Sequence, residues 1–234
     1  MFDGKVAVIT GSSYGIGKCT AVMFAKQRCR IVLCGRNALR LTSVLQECLD
    51  VSGGHSERSK SSSVNLFCVG SSGDIPAELT NMSNRPNTSI ACWIIRFRTA
   101  ASVISPFTTK NLAYINCIVN MSSSLSVLKS PEDIVEGMTK AGVDYLTRSF
   151  GLSLFAKGIR VNAVLPTLAL NNTSGFDWWD KFAQEYGPLH PLYGRNSTLE
   201  EQANVVLFLA SPEASCISGE CLLVDGGITL KGPT

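Results

Sequence analysis

The chain has 234 residues, of which 45% are hydrophobic and 17% charged, a balance that is typical of a packed globular protein and excludes a disordered one. The formal net charge of +3 is weak and spread along the chain, which argues against a nucleic-acid partner. No apolar run approaches the roughly 18 residues of a membrane span and the N-terminus lacks the pattern of a secretory signal, so we expect a protein of the cytoplasm.

The nine cysteines include no C-x-x-C pair, and several lie inside apolar runs. This pattern favours buried, reduced thiols over disulfides or a zinc site, and we expect no metal.

The first third of the chain alternates strand and helix patterns. Lys5–Thr10 and Ile31–Cys34 are short apolar runs that predict strands. Lys18–Gln27 and Ala38–Val51 carry apolar residues at helical spacing, and Val64–Val69 predicts a third strand. Strand, helix and strand within about 30 residues make a βαβ unit, which implies parallel strands.

The middle of the chain is irregular, because residues 75–110 contain three prolines and only Ile90–Ile95 resembles a strand. Regular patterns return with a strand at Tyr114–Met121 and a helix that we expect to open at Ser130-Pro131. The apolar face of that helix is predicted to hold five residues: Ile134, Met138, Ala141, Leu146 and Phe150.

The C-terminal third continues the alternation. A strand is predicted at Ile159–Leu165, and Thr198 with Glu201 forms a capping box ahead of another helix. The last strand is Cys221–Val224. Alternating strands and helices predict an α/β fold: a Rossmann-like, doubly wound parallel sheet in three layers with an irregular middle segment, forming one dinucleotide-binding domain over residues 1–234.

The strongest motif is Thr10-Gly11-Ser12-Ser13-Tyr14-Gly15-Ile16-Gly17, between the first strand and the first helix. Gly11 can adopt the positive φ of a tight turn, Gly15 allows a phosphate to approach the backbone, and Gly17 allows close helix packing. The helix N-terminus then offers free N–H groups to a diphosphate. We therefore expect a dinucleotide to bind here, the alternative being a plain glycine turn.

The end of the second strand indicates which dinucleotide binds. Proteins that bind NAD usually place an acidic residue there, to hold the ribose 2′-hydroxyl. This chain has Arg36 and Asn37 instead, and an arginine suits a 2′-phosphate. NADP is the expected cofactor and NAD the less favoured one, although a solvated surface arginine would give the same pattern.

The glycine motif resembles the cofactor motif of the short-chain dehydrogenase/reductase family, and Cys34-Gly35-Arg36-Asn37 resembles its NADP-preferring variant. The run Ile118–Ser123 is similar to the family's strand that delivers a catalytic serine, and Thr139-Lys140-Ala141 to the centre of its active-site helix. Residues 159–166 and 202–227 also resemble the family.

This resemblance implies hydride transfer between NADP(H) and a small carbonyl or alcohol substrate, run by a serine, a tyrosine and a lysine. Ser123 and Lys140 match the serine and the lysine. The implied cofactor-binding residues are Gly11, Ser13, Tyr14, Gly15, Ile16, Gly17, Arg36, Asn37, Asp74, Lys140 and Pro166. The family usually forms dimers or tetramers through two central helices, and because one of these falls in the irregular segment a homo-oligomer is left open.

The tyrosine position is occupied by Glu136, which lies 13 residues after Ser123 and four before Lys140. A carboxylate cannot donate a proton as a phenol does, and such proton transfer contributes roughly 100- to 10,000-fold in rate. The site is therefore predicted to be degenerate, with impaired turnover. The alternative is a catalytically inactive nucleotide-binding or protein-interaction pseudoenzyme.

A hydrolase is the remaining alternative, because Gly11-Ser12-Ser13-Tyr14-Gly15 also fits the G-x-S-x-G pattern of a nucleophile elbow. Such a site needs a histidine later in the chain, and only His55 and His190 are available. The sequence has no His-Gly-Gly run for an oxyanion hole, so this alternative is weak.

Overall fold

The computed structural model describes residues 1–53, 65–68, 90–96, 115–167, 169 and 194–230, with 65–68 and 90–96 described as backbone. The strands are β1 (Val6–Thr10), β2 (Arg30–Gly35), β3 (Asn65–Cys68), β4 (Ile90–Arg96), β5 (Cys117–Met121), β6 (Arg160–Pro166) and β7 (Cys221–Val224). The helices are α1 (Gly15–Lys26), α2 (Ala38–Val51), α3 (Ile134–Phe155) and α4 (Leu199–Ala210). Short 3₁₀ helices follow at Ser124–Ser126, Pro212–Ala214 and Ile228–Leu230.

The seven strands form one parallel sheet in the order β3-β2-β1-β4-β5-β6-β7. The chain builds one side from β1 to β3 and then crosses to β4, so the direction of winding reverses between β1 and β4. In open sheets of this kind, ligands bind at the carboxyl ends of the strands beside that reversal. The predicted α/β, Rossmann-like, doubly wound fold is confirmed.

Two apolar clusters lie on opposite faces of the sheet, between the strands and the helices. The sheet and the helices on its two faces are the three layers. Ala7 and Ile9 of β1 point to the face covered by α1, α2 and α4. Val6 and Val8 point to the other face, where Val143 and Leu154 of α3 cover them. This period of two along β1 is what a strand buried on both sides requires.

Helix α3 departs from the prediction in where it starts and which face it buries. The helix begins at Ile134, and Pro131 lies in a preceding turn in which the amide of Asp133 donates to the carbonyl of Ser130. Ile134 and Met138 are 60% and 70% exposed, so the predicted apolar face was wrong there.

The buried face of α3 includes Asp144, Thr147 and Gly151, because the helix comes close to the strands. A methyl group at Gly151 would lie 2.5 Å from the Cα of Gly219, so these two backbones touch. The close approach requires glycine at position 151. Of the rest of the predicted apolar face, Leu146 and Phe150 do pack against the apolar cluster, whereas Ala141 is exposed.

Several predictions lie outside the described residues: Asp74, the three prolines of the middle segment, His55 and His190. The observed bounds of α2 and β7 equal the predicted ones, and the capping box of Thr198 and Glu201 is present. Among the helices of the described ranges, none combines the length and apolarity needed to cross a membrane.

Candidate active site

The glycine motif forms the turn between β1 and α1, at the reversal of the sheet. Gly11 and Gly15 have φ angles of +68° and +61°, which side-chain-bearing residues rarely adopt. A Cβ at Gly17 would clash with the carbonyl oxygen of Gly11, so α1 can start this close to β1 only with glycine there. Tyr14 precedes α1 in an extended conformation and makes no side-chain cap. The first turn of α1 thus presents its backbone amides at the carboxyl edge of the sheet.

Ser12 fastens this turn to the end of β2. Its backbone amide and its hydroxyl both donate to the carbonyl of Cys34, and the hydroxyl accepts from the amide of Cys34 at 3.0 Å. Ser12 is fully buried. The sequence analysis did not predict a role for Ser12, because a serine next to Gly11 looks like any other serine in a turn.

The end of β2 lies against the glycine turn. A Cβ at Gly35 would stand 3.4 Å from the Cβ of Ser13 and 3.3 Å from Leu41 of α2. Arg36 follows and is exposed. Asn37 caps α2, and its side-chain oxygen accepts from the amide of Arg40 at 3.0 Å. The predicted pair Arg36 and Asn37 therefore lies beside the glycine turn, with the carboxamide oxygen of Asn37 engaged in the cap.

The end of β5 carries two serines with different contacts. The amide of Ser122 donates to the carbonyl of Val164 in β6, and its hydroxyl donates to the carbonyl of Lys140. Ser123, the predicted catalytic serine, starts the 3₁₀ helix, and its hydroxyl accepts from the amide of Leu125 at 3.2 Å. The hydroxyl hydrogen of Ser123 is not used in that contact, so it can serve as a donor.

Lys140 and Glu136 lie one turn apart on α3, as their spacing predicts. The ammonium group of Lys140 donates to the carbonyl of Met121 at 3.2 Å, so the lysine reaches the carboxyl end of β5. Glu136 is exposed in the first turn of the helix. Gly137 packs against the 3₁₀ helix, since a Cβ there would be 3.0 Å from the carbonyl of Leu125. This contact brings the start of α3 beside the segment that begins at Ser123.

Pro166 ends β6 opposite Val224, on the same edge of the sheet. The predicted residues of the described ranges thus form two groups along this edge: residues 11–17, 36 and 37 at β1 and β2, and Ser123, Lys140 and Pro166 at β5 and β6. One strand, β4, lies between the groups, so they are roughly 10 Å apart across the sheet. Their side chains can contact different parts of one extended ligand.

Two family models match the chain. The model described as enoyl-(acyl carrier protein) reductase matches residues 97–229, more than half of the chain, and the model described as short chain dehydrogenase matches residues 5–58. The chain belongs to the short-chain dehydrogenase/reductase family of oxidoreductases, a family that binds nicotinamide cofactors.

Relatives align over nearly the whole chain. A glucose 1-dehydrogenase of Gluconobacter oxydans is 28% identical over 99% of this chain and 94% of its own. A D-erythrulose reductase of Gallus gallus is 27% identical over 98% of each chain. A solved short-chain dehydrogenase/reductase of unknown function from Caenorhabditis elegans, with cofactor, superposes with a TM-score of 0.82 at 28% identity, covering 99% of this chain and 97% of that one.

Proposed function

We propose that this chain binds NADP(H) and transfers hydride between it and a small carbonyl or alcohol substrate, with low turnover because of Glu136. The observation that carries the proposal is the glycine turn at the reversal of a parallel sheet, in a member of an oxidoreductase family. The names of two relatives, a dehydrogenase of glucose and a reductase of D-erythrulose, support an alcohol or carbonyl substrate.

The glycine turn fits the diphosphate of such a cofactor. The absence of a Cβ at Gly17, where it would clash with the carbonyl oxygen of Gly11, lets α1 begin close to β1, so that its first amides and the positive end of the helix dipole can face an anion. Ser13, Tyr14, Gly15 and Ile16 would line this anion site, and Gly11 makes the turn. The bound cofactor would supply or accept the hydride.

The remaining residues act on the ribose groups and on the substrate. Arg36 would pair with a 2′-phosphate through its fork of N–H donors, beside Asn37. Lys140 would hold the ribose next to the nicotinamide, near Pro166. The hydroxyl of Ser123 would donate to the substrate oxygen and hold the carbonyl for hydride transfer. Asp74 stays a prediction for the adenine.

Glu136 determines how fast the proposed reaction runs. In this family the group at its position exchanges a proton with the substrate oxygen, and a carboxylate there lacks the phenolic proton. Glu136 is exposed on the first turn of α3, so water would take the place of the phenol as proton source. The expected penalty is about 100- to 10,000-fold in rate, with cofactor binding unchanged.

The test separates binding from turnover. Titrating the purified chain with NADPH and following cofactor fluorescence measures affinity, and single-turnover oxidation of NADPH with a panel of small ketones and ketoses measures chemistry. We expect the chain as written to bind NADPH and turn over slowly, and E136Y to gain at least about 100-fold in rate at equal affinity.

A matched control is E136Y combined with K140M, which should lose the gain because the phenol then lacks its lysine. Tight binding without turnover in both the parent and E136Y would favour the inactive nucleotide-binding alternative. Absence of binding to both NADPH and NADH would overturn the proposal.

A further inference from the structure

The first turn of α2 and the glycine turn are joined by a contact between Arg40 and Tyr14. The guanidinium carbon of Arg40 lies 5.8 Å from the centroid of the Tyr14 ring. This is the distance range of a cation–π interaction, which arginine makes with the electron-rich face of an aromatic ring. Tyr14 belongs to the proposed cofactor turn, whereas the sequence assigned no role to Arg40.

The backbones on both sides of this contact are held in place. The amide of Arg40 is fixed by the cap at Asn37, and the next residue, Leu41, is fully buried. Tyr14 follows Ser13, which lies against Gly35 at the end of β2. The Arg40–Tyr14 contact therefore joins the glycine turn after β1 to the first turn of α2.

The charge around this contact is positive. Arg36 and Arg40 are both exposed, and within the described ranges neither has a carboxylate at ion-pair distance. Arg40 lies in the first turn of α2, which holds no acidic residue. A cation there opposes the helix dipole, so helix stability does not explain its presence.

We propose that Tyr14 positions Arg40 as a second cation, beside Arg36, for the phosphate on the adenosine ribose, and so contributes to selecting NADP over NAD. This rests on the proposed function, because it assumes that the dinucleotide binds at the glycine turn. Arg40 contacts the ligand, whereas Tyr14 acts through Arg40 and is a positioning residue. Packing of the guanidinium on the ring limits the rotamers of a long side chain before the phosphate arrives, which lowers the entropic cost of binding.

The test compares two probes that differ only in the 2′-phosphate: adenosine 2′,5′-bisphosphate and 5′-AMP. Calorimetry with the full chain gives the affinity for each, and NADPH and NADH serve as the second pair. R40M keeps a long apolar stem and removes the charge. We expect R40M to weaken the bisphosphate about tenfold while 5′-AMP and NADH stay within about twofold of the parent.

The Tyr14 variants separate positioning from a structural role. Y14F keeps the ring, so it should bind the bisphosphate within about twofold of the parent, whereas Y14L should lose about two- to fivefold. Y14L should weaken the bisphosphate more than 5′-AMP, whereas a collapsed turn would weaken both equally. Raising the salt concentration should weaken the bisphosphate less in R40M than in the parent, because one cation fewer takes part.

The outcomes distinguish this inference from the function on which it rests. If the parent binds neither NADPH nor NADH, both fail. If the parent prefers NADPH but R40M and Y14L keep the full preference, only this inference is wrong. A loss in R36M together with no loss in R40M would assign the phosphate to Arg36 alone and overturn the inference as well.

Discussion

The side-chain amide of Asn120 in β5 donates to the hydroxyl of Thr147 in α3 at 2.9 Å, and both residues are buried. The hydroxyl in turn donates to the carbonyl of Val143, one turn back in the helix. This pair fixes α3 against β5, which ends at Met121, two residues before Ser123. The spacing of Ser123 from residues 136 and 140 therefore depends on a polar contact in the core.

Replacing Thr147 by valine tests this contact. T147V keeps the shape but leaves the amide of Asn120 without its acceptor, so we expect a loss of about 1–3 kcal/mol in the free energy of unfolding. Urea denaturation provides the measurement. T42V is the matched control, because Thr42 makes the same bond to the carbonyl four residues back on an exposed helix face. It should change stability by less than about 0.5 kcal/mol, and an equal loss in both variants would show that the Asn120 contact contributes nothing.

The glycine turn gives a second prediction. In G17A the new methyl group would stand 2.9 Å from the carbonyl carbon of Gly11, so α1 must move away from the turn. We expect NADPH affinity, measured by calorimetry, to fall at least about tenfold as the amides shift.

G158A is the control for the glycine turn. Gly158 also has a positive φ, of +75°, but it has open space around it and lies at the other end of the strands. Alanine there should cost about 1–2 kcal/mol of stability and leave the affinity unchanged. Equal affinity in G17A and the parent would refute the role of the turn.

The capping box predicts how stability depends on pH. Hydrogen bonds from Arg195 and from the amide of Thr198 lower the pKa of Glu201 from 4.5 to about 2. Because the pKa is lower in the folded state, the stabilisation is complete above about pH 4.5 and is lost as the pH falls towards 2. The side chain is 44% exposed, so solvent screening keeps the effect small.

Urea titrations of the parent and E201Q at several pH values would measure this effect. The stability difference between the two proteins should shrink as the pH falls through that range. E200Q, one residue earlier on the exposed side of the same turn, is the control. A difference between the parent and E201Q that stays constant down to pH 2 would contradict the assignment.

Cysteine reactivity should follow burial. Burial raises the pKa of the Cys29, Cys34 and Cys48 thiols to about 12, whereas Cys216 is exposed. The thiolate is the reactive form, so iodoacetamide at pH 8 should label Cys216 well before these three. Peptide mass mapping over time measures the order. C216S is the control and should remove the rapid labelling phase. Early labelling of Cys34 would contradict the prediction and would mean that the end of β2 opens in solution.

The sequence predicted those parts of the fold that are determined by residues close together in the chain. The helical spacing of apolar residues placed α2 at its observed bounds, and the structure shows that Asn37, two residues after the end of β2, caps it. The glycine turn was likewise recognisable, because each glycine has its own backbone requirement.

The parts that failed depend on contacts between distant residues. The buried face of α3 is set by the approach of Gly151 to Gly219, which lie far apart in the chain and carry no apolar signal. Ser12 and Arg40 were overlooked for the same reason, since their partners come from a neighbouring strand or turn. Apolar periodicity finds the part of a helix that packs on an apolar core, such as Val143 and Leu154, but not the part that packs on backbone, such as Gly151.

Glu136 projects from the first turn of α3 into solvent. Because Glu136 is exposed and no residue of the described ranges is shown packed on its side chain, we expect a phenol, an acid or an amide there to give nearly the same folding free energy. Yield, melting temperature and spectroscopic signature will therefore not distinguish a catalytically active variant from an inactive one. Selection for folding and stability alone would therefore allow residue 136 to change and catalytic activity to fall, with no change in the fold.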